Sequence, residues 1–148
     1  MRYNDESEIA EVVRKFEDAT YDREAWGHAE HLTVGLYLVT KHDLETAINM
    51  IRVGLFKLLR AYGVDLTKEM PYHETLTVFW MRTIADFNAS KNESSLLDKA
   101  NELIISFDKN YPNRFYSREY LFSDKARESF VDGDLELTRF QNKRTIAD

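Results

Sequence analysis

Apolar residues recur at helical spacing along most of this chain. From about Ser7 to Asp18 they return every three or four positions, which is typical of a helix with one buried face. A longer stripe begins after Asp43, which suits an N-cap, and ends before Gly63, which suits the residue that follows a helix. The stripe consists of Leu44, Ala47, Ile48, Ile51, Leu55, Leu58, Leu59 and Tyr62. Both patterns predict amphipathic helices.

Three further segments have the same character. The second helix is predicted over about Arg23–Thr40, and the fourth opens near Pro71 and runs to about Asn88. A polar link then ends at Ser94 or Ser95, either of which suits the N-cap of a fifth helix. The predicted core face of the fifth helix is Leu96, Leu97, Ala100, Leu103, Ile104 and Phe107.

The C-terminal third is less regular. The run "RFYSREYLFS" is compatible with a short helix or an extended turn, and Ser123 suits the N-cap of "DKARESF". Residues from about 132 to 148 show no sustained period, and we expect them to fray. The sequence therefore predicts an all-α fold. It is a single-domain bundle over 1–148, with four to five main helices and a short helical C-terminal segment.

Composition narrows the classes of protein to consider. The length of 148 residues suits one domain, and five glycines and two prolines leave room for few turns. A net charge of −6 argues against a nucleic-acid binder, and no window approaches the ~18 apolar residues of a membrane span. There is no cysteine, which fits a reducing compartment. We expect a soluble cytoplasmic protein without nucleic-acid or membrane partners, either a monomer or a homodimer.

Three of the four histidines lie in two clusters with carboxylates. At 100° per residue, with Trp26 at zero, His28 lies at about 200°, Glu24 at about 160° and His31 at about 140°. These three side chains would share one stripe within the apolar arc of the second helix. Gly35, near 180° on the same projection, would leave room beside the imidazole rings.

The fourth helix repeats the arrangement. His73 heads its apolar stripe in the first turn, and Glu74 points about 100° away. If the second and fourth helices face each other, three imidazoles and one or two carboxylates converge. Such a set suits zinc, iron, manganese or nickel, although Thr77 rules out the metalloprotease H-E-x-x-H motif. The predicted metal ligands are His28, His31, His73 and Glu24.

Candidate catalytic residues come from the same region and from "NRFYSREYLFSDKAR". Glu74 suits a general base or a fourth ligand, Arg118 an anchor for an anionic substrate, and Tyr116 a donor to an oxyanion. The structural alternative is that these aromatic residues pack on the bundle while the arginines pair with surface acids. No cofactor-binding motif of the glycine-rich type occurs.

Several short motifs carry a resemblance. The chain has W-x-H-x-x-H-L at Trp26–Leu32, Y-H-E-T at Tyr72–Thr75, Y-S-R-E at Tyr116–Glu119, L-F-S at Leu121–Ser123 and then Ala126–Arg127. In these it resembles a group of small uncharacterised bacterial proteins, over most of its length. The resemblance implies one helical domain in which these segments form a site, and it supplies no activity. DinB-like metal-binding bundles are similar in architecture only, because this chain lacks their H-x-x-x-H pair.

Three functional hypotheses remain open at this point. The first is a metal-dependent enzyme that acts on a small molecule. The second is a non-enzymatic module that binds a small ligand or regulates a partner, with structural histidines. The third is a metal-free enzyme in which a histidine and a glutamate share a proton.

Overall fold

The computed structural model describes residues 2–135, and every regular element in that range is helical. The predicted all-α bundle is therefore confirmed. The main helices are α1 (Glu6–Glu17), α2 (His28–Lys41), α3 (Leu44–Ala61), α4 (Glu74–Ser90) and α5 (Leu96–Ser106). A 3₁₀ turn (Tyr111–Arg114) leads into the short helices α6 (Arg118–Leu121) and α7 (Asp124–Glu128). The predicted fraying of the tail falls mainly on residues 136–148, which lie outside the described residues.

Local signals in the sequence set several helix ends. The Asp43 carboxylate accepts a hydrogen bond from the backbone N–H of Thr46 at 2.7 Å, so α3 begins where its N-cap was predicted. Ser95 and Ser123 cap α5 and α7 in the same way. Gly63 follows α3 with a φ of +77°, a left-handed conformation that glycine adopts without strain.

The start of α2 differs from its prediction. The predicted helix began at Arg23, whereas the observed helix begins at His28 with Gly27 as its N-cap. Its first turn is closed by the Glu30 carboxylate, which accepts a 3.0 Å hydrogen bond from the Gly27 N–H. The residues before Gly27 form a turn, in which the Asp22 carbonyl accepts hydrogen bonds from the backbone N–H groups of Ala25 and Trp26. The helical projection therefore does not apply to Glu24, which is exposed.

Helix α2 lies at the centre of the bundle. It packs against α1, α3, α4 and α5, and Leu32, Val34 and Leu36 are fully buried. Its most extensive contact is with α4, and Gly35 lies in that contact. A Cβ atom on Gly35 would lie 2.7 Å from Ile84 Cδ1, so the absence of a side chain allows the two helices to approach this closely.

The C-terminal segment packs on the first half of α4. Thr75 Oγ1 donates a 3.0 Å hydrogen bond to the Ser129 carbonyl and accepts one of 3.1 Å from the Val131 N–H. Helix α7 also contacts α4, so the predicted short helical C-terminal segment forms part of the bundle. Within residues 2–135 no helix is both long enough and apolar enough to span a membrane.

We predict that Gly35→Ala destabilises the protein, although alanine is the better helix former by about 1 kcal/mol. The added Cβ would overlap Ile84 Cδ1 and lie 3.1 Å from Met81 Sδ, and both side chains are fully buried. Overpacking of this kind costs about 1–3 kcal/mol, measurable as a lower free energy of unfolding in urea.

The control is the same substitution in an Ile84→Val background, which deletes the overlapping Cδ1 atom. The cost of Gly35→Ala should fall there by about 1 kcal/mol, as expected for two side chains in contact. An equal cost in both backgrounds, or a stabilising effect in the native background, would contradict close packing at this position.

Candidate functional site

His28 links the start of α2 to the end of α5. Its Nε2 atom lies 2.9 Å from the Phe107 carbonyl oxygen. Because a carbonyl only accepts hydrogen bonds, Nε2 carries the proton and donates it. The ring also lies edge-on to Trp80, with 4.9 Å between centroids. This satisfies one of the two ring nitrogens of a predicted metal ligand through the main chain.

His73 is fully engaged by the backbone. It is the N-cap of α4 rather than a residue of its first turn, and its Nδ1 accepts a 3.2 Å hydrogen bond from the Leu76 N–H. Its Nε2 donates a 2.7 Å hydrogen bond to the Leu121 carbonyl. Burial lowers the pKa of His73, so the ring is neutral near pH 7. With both nitrogens occupied, His73 joins α4 to α6.

Glu74, a predicted catalytic residue, forms a bidentate ion pair. Its two carboxylate oxygens accept from Arg52 Nε at 2.9 Å and from the Arg52 terminal nitrogen at 2.5 Å. Tyr72 donates a further hydrogen bond of 2.6 Å to the same carboxylate. Burial acts to raise the pKa of Glu74, but the hydrogen bonds from Arg52 and Tyr72 outweigh it and the pKa lies below its usual value. A carboxylate held in this way is a weak proton acceptor.

The remaining predicted residues differ in burial. Tyr116 is buried, its hydroxyl donates a 2.6 Å hydrogen bond to the Val131 carbonyl, and burial raises its pKa. Arg118 is exposed at the start of α6, and Glu24 is exposed in the turn before α2. Tyr116 anchors the C-terminal segment, as the packing part of the structural alternative expects.

A cavity of about 170 Å³ lies between α2, α3 and the start of α4, and we call it the α2–α3–α4 pocket. Two predicted site residues, His31 and His73, lie in its wall. The wall is otherwise mainly aliphatic and aromatic. Its residues are Trp26, His31, Leu55, Leu58, Leu59, Tyr62, Pro71, Tyr72, His73, Leu76 and Thr77.

The polar groups of this wall fall into two sets. His73 and Tyr72 are engaged as described above, and Thr77 Oγ1 donates a 3.0 Å hydrogen bond to the His73 carbonyl. The Tyr62 hydroxyl is buried without a hydrogen-bond partner in the described part of the chain. Within residues 2–135, His31 likewise has no hydrogen-bond partner for its ring, which contacts Trp26 edge-on at 6.1 Å. The wall therefore contains one buried hydroxyl and one partly exposed imidazole without a hydrogen-bond partner in that range.

Both groups are uncharged near neutral pH. Burial, and to a smaller extent electrostatic repulsion from the His28 ring, lowers the pKa of His31 to about 4. The pKa of Tyr62 is raised by burial and by Asp22, so its hydroxyl keeps its proton. No lysine, arginine, aspartate or glutamate lies in the wall, so the pocket is neutral.

The structure disperses the predicted metal ligands. His28 is bonded at the end of α5, His31 and His73 lie in the pocket wall, and Glu24 is exposed. Among residues 2–135 no group of three or more His, Cys, Asp or Glu side chains is placed to hold a metal ion. The metal site stays a prediction from the sequence, and the geometry favours an uncharged binding pocket.

Tyr62 is the residue that sequence reasoning missed as part of the site. It was placed on the core face of α3, where it does lie, but nothing marked its hydroxyl as unsatisfied. One signal was available. Tyr62 is the one hydrogen-bonding member of the aliphatic stripe predicted for α3, so its hydroxyl needed a partner within the bundle.

Comparison with known proteins adds no assignment. No protein-family model, no curated protein and no solved structure matches this chain. Conclusions about function therefore depend on the pocket and its hydrogen-bonding groups.

We predict that His73→Ala lowers the free energy of unfolding by about 2–4 kcal/mol. It removes the N-cap of α4, worth about 0.5–2 kcal/mol, and leaves the Leu121 carbonyl without its partner, at a further cost of about 1–3 kcal/mol. Urea unfolding followed by circular dichroism measures this loss.

His73→Asn is the matched variant, because asparagine is a good N-cap but is too short to reach the Leu121 carbonyl as the imidazole does. It should recover about 1 kcal/mol relative to His73→Ala. Equal stabilities of the two variants would show that His73 does not cap α4.

Proposed function

We propose that this protein binds a small, uncharged and largely apolar molecule in the α2–α3–α4 pocket. One observation carries the proposal: a cavity of about 170 Å³ has an uncharged, mainly aliphatic and aromatic wall, in which the His31 ring has no protein hydrogen-bond partner within residues 2–135. The Tyr62 hydroxyl of the same wall is buried and also lacks a partner in that range, which is rare in native structures. Binding sites of this kind, apolar with a few polar groups, are common between the helices of bundles.

The volume limits the ligand to about one ring. A dry apolar cavity of about 150 Å³ is known to accept benzene, and this pocket has a volume of about 170 Å³. Leu55, Leu59 and Leu76 are partly exposed in its wall and supply apolar surface that a ligand would cover. A benzene-sized ring with one small substituent fits this space.

The charge of the wall limits the ligand further. A charged group in the pocket would lose its water without meeting an ion of opposite sign, which is costly. One cation that contacts the wall is Arg23, whose guanidinium lies over the Tyr62 ring at 5.7 Å from the centroid. Arg23 is exposed and is not part of the wall, so it supports an anionic ligand less well than the wall supports a neutral one.

Binding without catalysis has more support than either enzymatic hypothesis. Glu74 is held by Arg52, and the ion pairs found in residues 2–135 include none between a histidine and a carboxylate. A shared His–Glu proton therefore has no geometric basis in this range. The second sequence hypothesis, a small-ligand-binding module, is the one that we carry forward, with His28 and His73 in structural roles.

We predict that toluene binds to the pocket with a dissociation constant on the order of 1 mM or lower, as expected for a ligand of about seven heavy atoms. The measurement is a titration of the full chain followed by methyl NMR. The methyl signals of Leu55, Leu59 and Leu76 should shift. Those of Val34 and Val53, which line a separate groove between α1, α2 and α3, should stay in place.

A pair of variants on α3 provides the control. Leu55→Trp fills the pocket and should abolish toluene binding, whereas Val53→Trp adds the same ring to an exposed position and should leave binding unchanged. The proposed pocket would be refuted if toluene shifted no methyl signal up to its solubility limit. It would also be refuted if toluene shifted only the signals of the separate groove.

A further inference from the structure

We infer that a second copy of this chain binds to the groove between α1, α2 and α3, with the two α3 helices antiparallel about a two-fold axis near Val53. The groove has a volume of about 430 Å³, and we call it the α1–α2–α3 groove. Its apolar lining consists of Val13 and Phe16 of α1, Val34 and Leu38 of α2, and Met50 and Val53 of α3. It shares no residue with the α2–α3–α4 pocket, so this inference is independent of the proposed function.

Helix α3 exposes apolar side chains along this groove. Val53 is 66% exposed and Met50 is 37% exposed, and they are two of the five large apolar side chains that are exposed within residues 2–135. The other three belong to other segments of the chain. A Cβ atom on Gly54 would overlap the Phe16 ring, so α1 packs directly on α3 and the groove exists before a partner binds. An exposed apolar surface of this kind is typical of an interaction site.

The charges along α3 favour a second α3 as the occupant. Glu45 lies in the first turn of the helix and Arg60 in the last, and both are exposed. Neither forms an ion pair within residues 2–135. Glu45 is eight residues before Val53 and Arg60 is seven after it, so in the antiparallel pair Glu45 of each copy lies within about 1.5 Å of Arg60 of the other along the axis. The opposed helix dipoles are also favourable in this arrangement.

The two helices beside the groove have charges of opposite sign. Helix α1 has four acidic and two basic residues, whereas α3 has one acidic and three basic residues. Arg52 is paired with Glu74, which leaves Lys57 and Arg60 as the bases on the exposed face of α3. A two-fold interface brings the same surface of both copies together, and an α3 in the groove lies between α3 and α1 of the other copy. Its bases then meet the acids of α1, so the surface is complementary to itself.

The area of this surface limits the affinity. A helix is about 10–12 Å wide and rises 1.5 Å per residue, so α1 and α3, with 12 and 18 residues, form a face roughly 20 Å by 20–27 Å. Two such faces would bury on the order of 1,000 Å², which is the lower end for specific interfaces. We therefore expect a reversible dimer with a dissociation constant on the order of 10–100 μM.

Sedimentation equilibrium of the full chain from about 5 to 500 μM tests the dimer, a range that spans the expected constant. The average mass should rise from the monomer value of 17.4 kDa toward twice that value. Val53→Glu places a charge at the two-fold axis and should raise the dissociation constant by about tenfold or more. Ile105→Glu is the matched control, because Ile105 is 80% exposed on α5, and it should leave the constant within about twofold. Both variants should keep the native circular dichroism spectrum, since both positions are exposed.

A charge reversal tests the orientation of the two helices. Arg60→Glu places like charges level with Glu45 and should weaken the dimer by about threefold or more, because the pair occurs twice. Adding Glu45→Arg should restore most of the lost affinity. Adding Glu93→Arg instead, at an exposed position between α4 and α5, gives the same net charge and should restore little.

Several results would overturn the inference. One is a mass that stays at 17.4 kDa over the whole range, and another is a dimer that Val53→Glu weakens no more than Ile105→Glu does. Equal recovery by Glu45→Arg and Glu93→Arg would overturn the antiparallel arrangement of α3. A monomer in which octanoate shifts the methyl signals of Val34 and Val53 would overturn the inference in favour of a lipid-binding groove.

Discussion

The close approach of α2 and α4 at Gly35 sets the geometry on which the rest of this protein depends. The two helices share the most extensive contact in the bundle, and a methyl group at Gly35 would overlap Ile84. Gly35 lies one turn after His31, so the close contact lies just beyond the histidine on α2. The start of α4 then lies next to α3, and the pocket forms where these three helices meet.

The three histidines of the two sequence clusters have three different environments in the folded protein. His28 and His73 each donate to a main-chain carbonyl, 79 and 48 residues away along the chain, and so fasten α2 to the end of α5 and α4 to α6. His31 lies in the pocket wall without such a partner. The two histidines that bond to main-chain carbonyls stabilise the bundle, and His31 is one of the polar groups of the pocket wall.

Much of the fold follows from local signals. Periodicity and capping predicted α1, α3 and α5 closely, because Asp43, Gly63 and Ser95 act on the backbone within a few residues of themselves. The predicted start of α2 was wrong by about one turn. The Glu30 carboxylate accepts from the Gly27 N–H, so the helix begins after Gly27, and the residues before it form a turn. That shift alone removed Glu24 from the histidine stripe.

The candidate site was only partly predictable, because its polar groups are paired through tertiary contacts. Projection placed His31 on the inner face of α2, and the structure puts it in the pocket wall. The sequence could not show that Arg52 would neutralise Glu74, or that the Leu121 carbonyl would take the proton of His73. These partners lie 22 and 48 residues away from the groups they bind.

The most direct test of a neutral His31 in a ligand-binding pocket is the ¹⁵N NMR spectrum of the histidine rings in the full chain. It would be recorded from pH 7.5 to pH 5 with and without toluene. We expect His31 to stay neutral throughout, because its pKa is about 4, and toluene to shift its ring signals. His73 should keep its proton on Nε2 in both spectra. A His31 that titrates near pH 6.5, or His31 ring signals that do not respond to bound toluene, would show that the pocket is not the neutral binding site proposed.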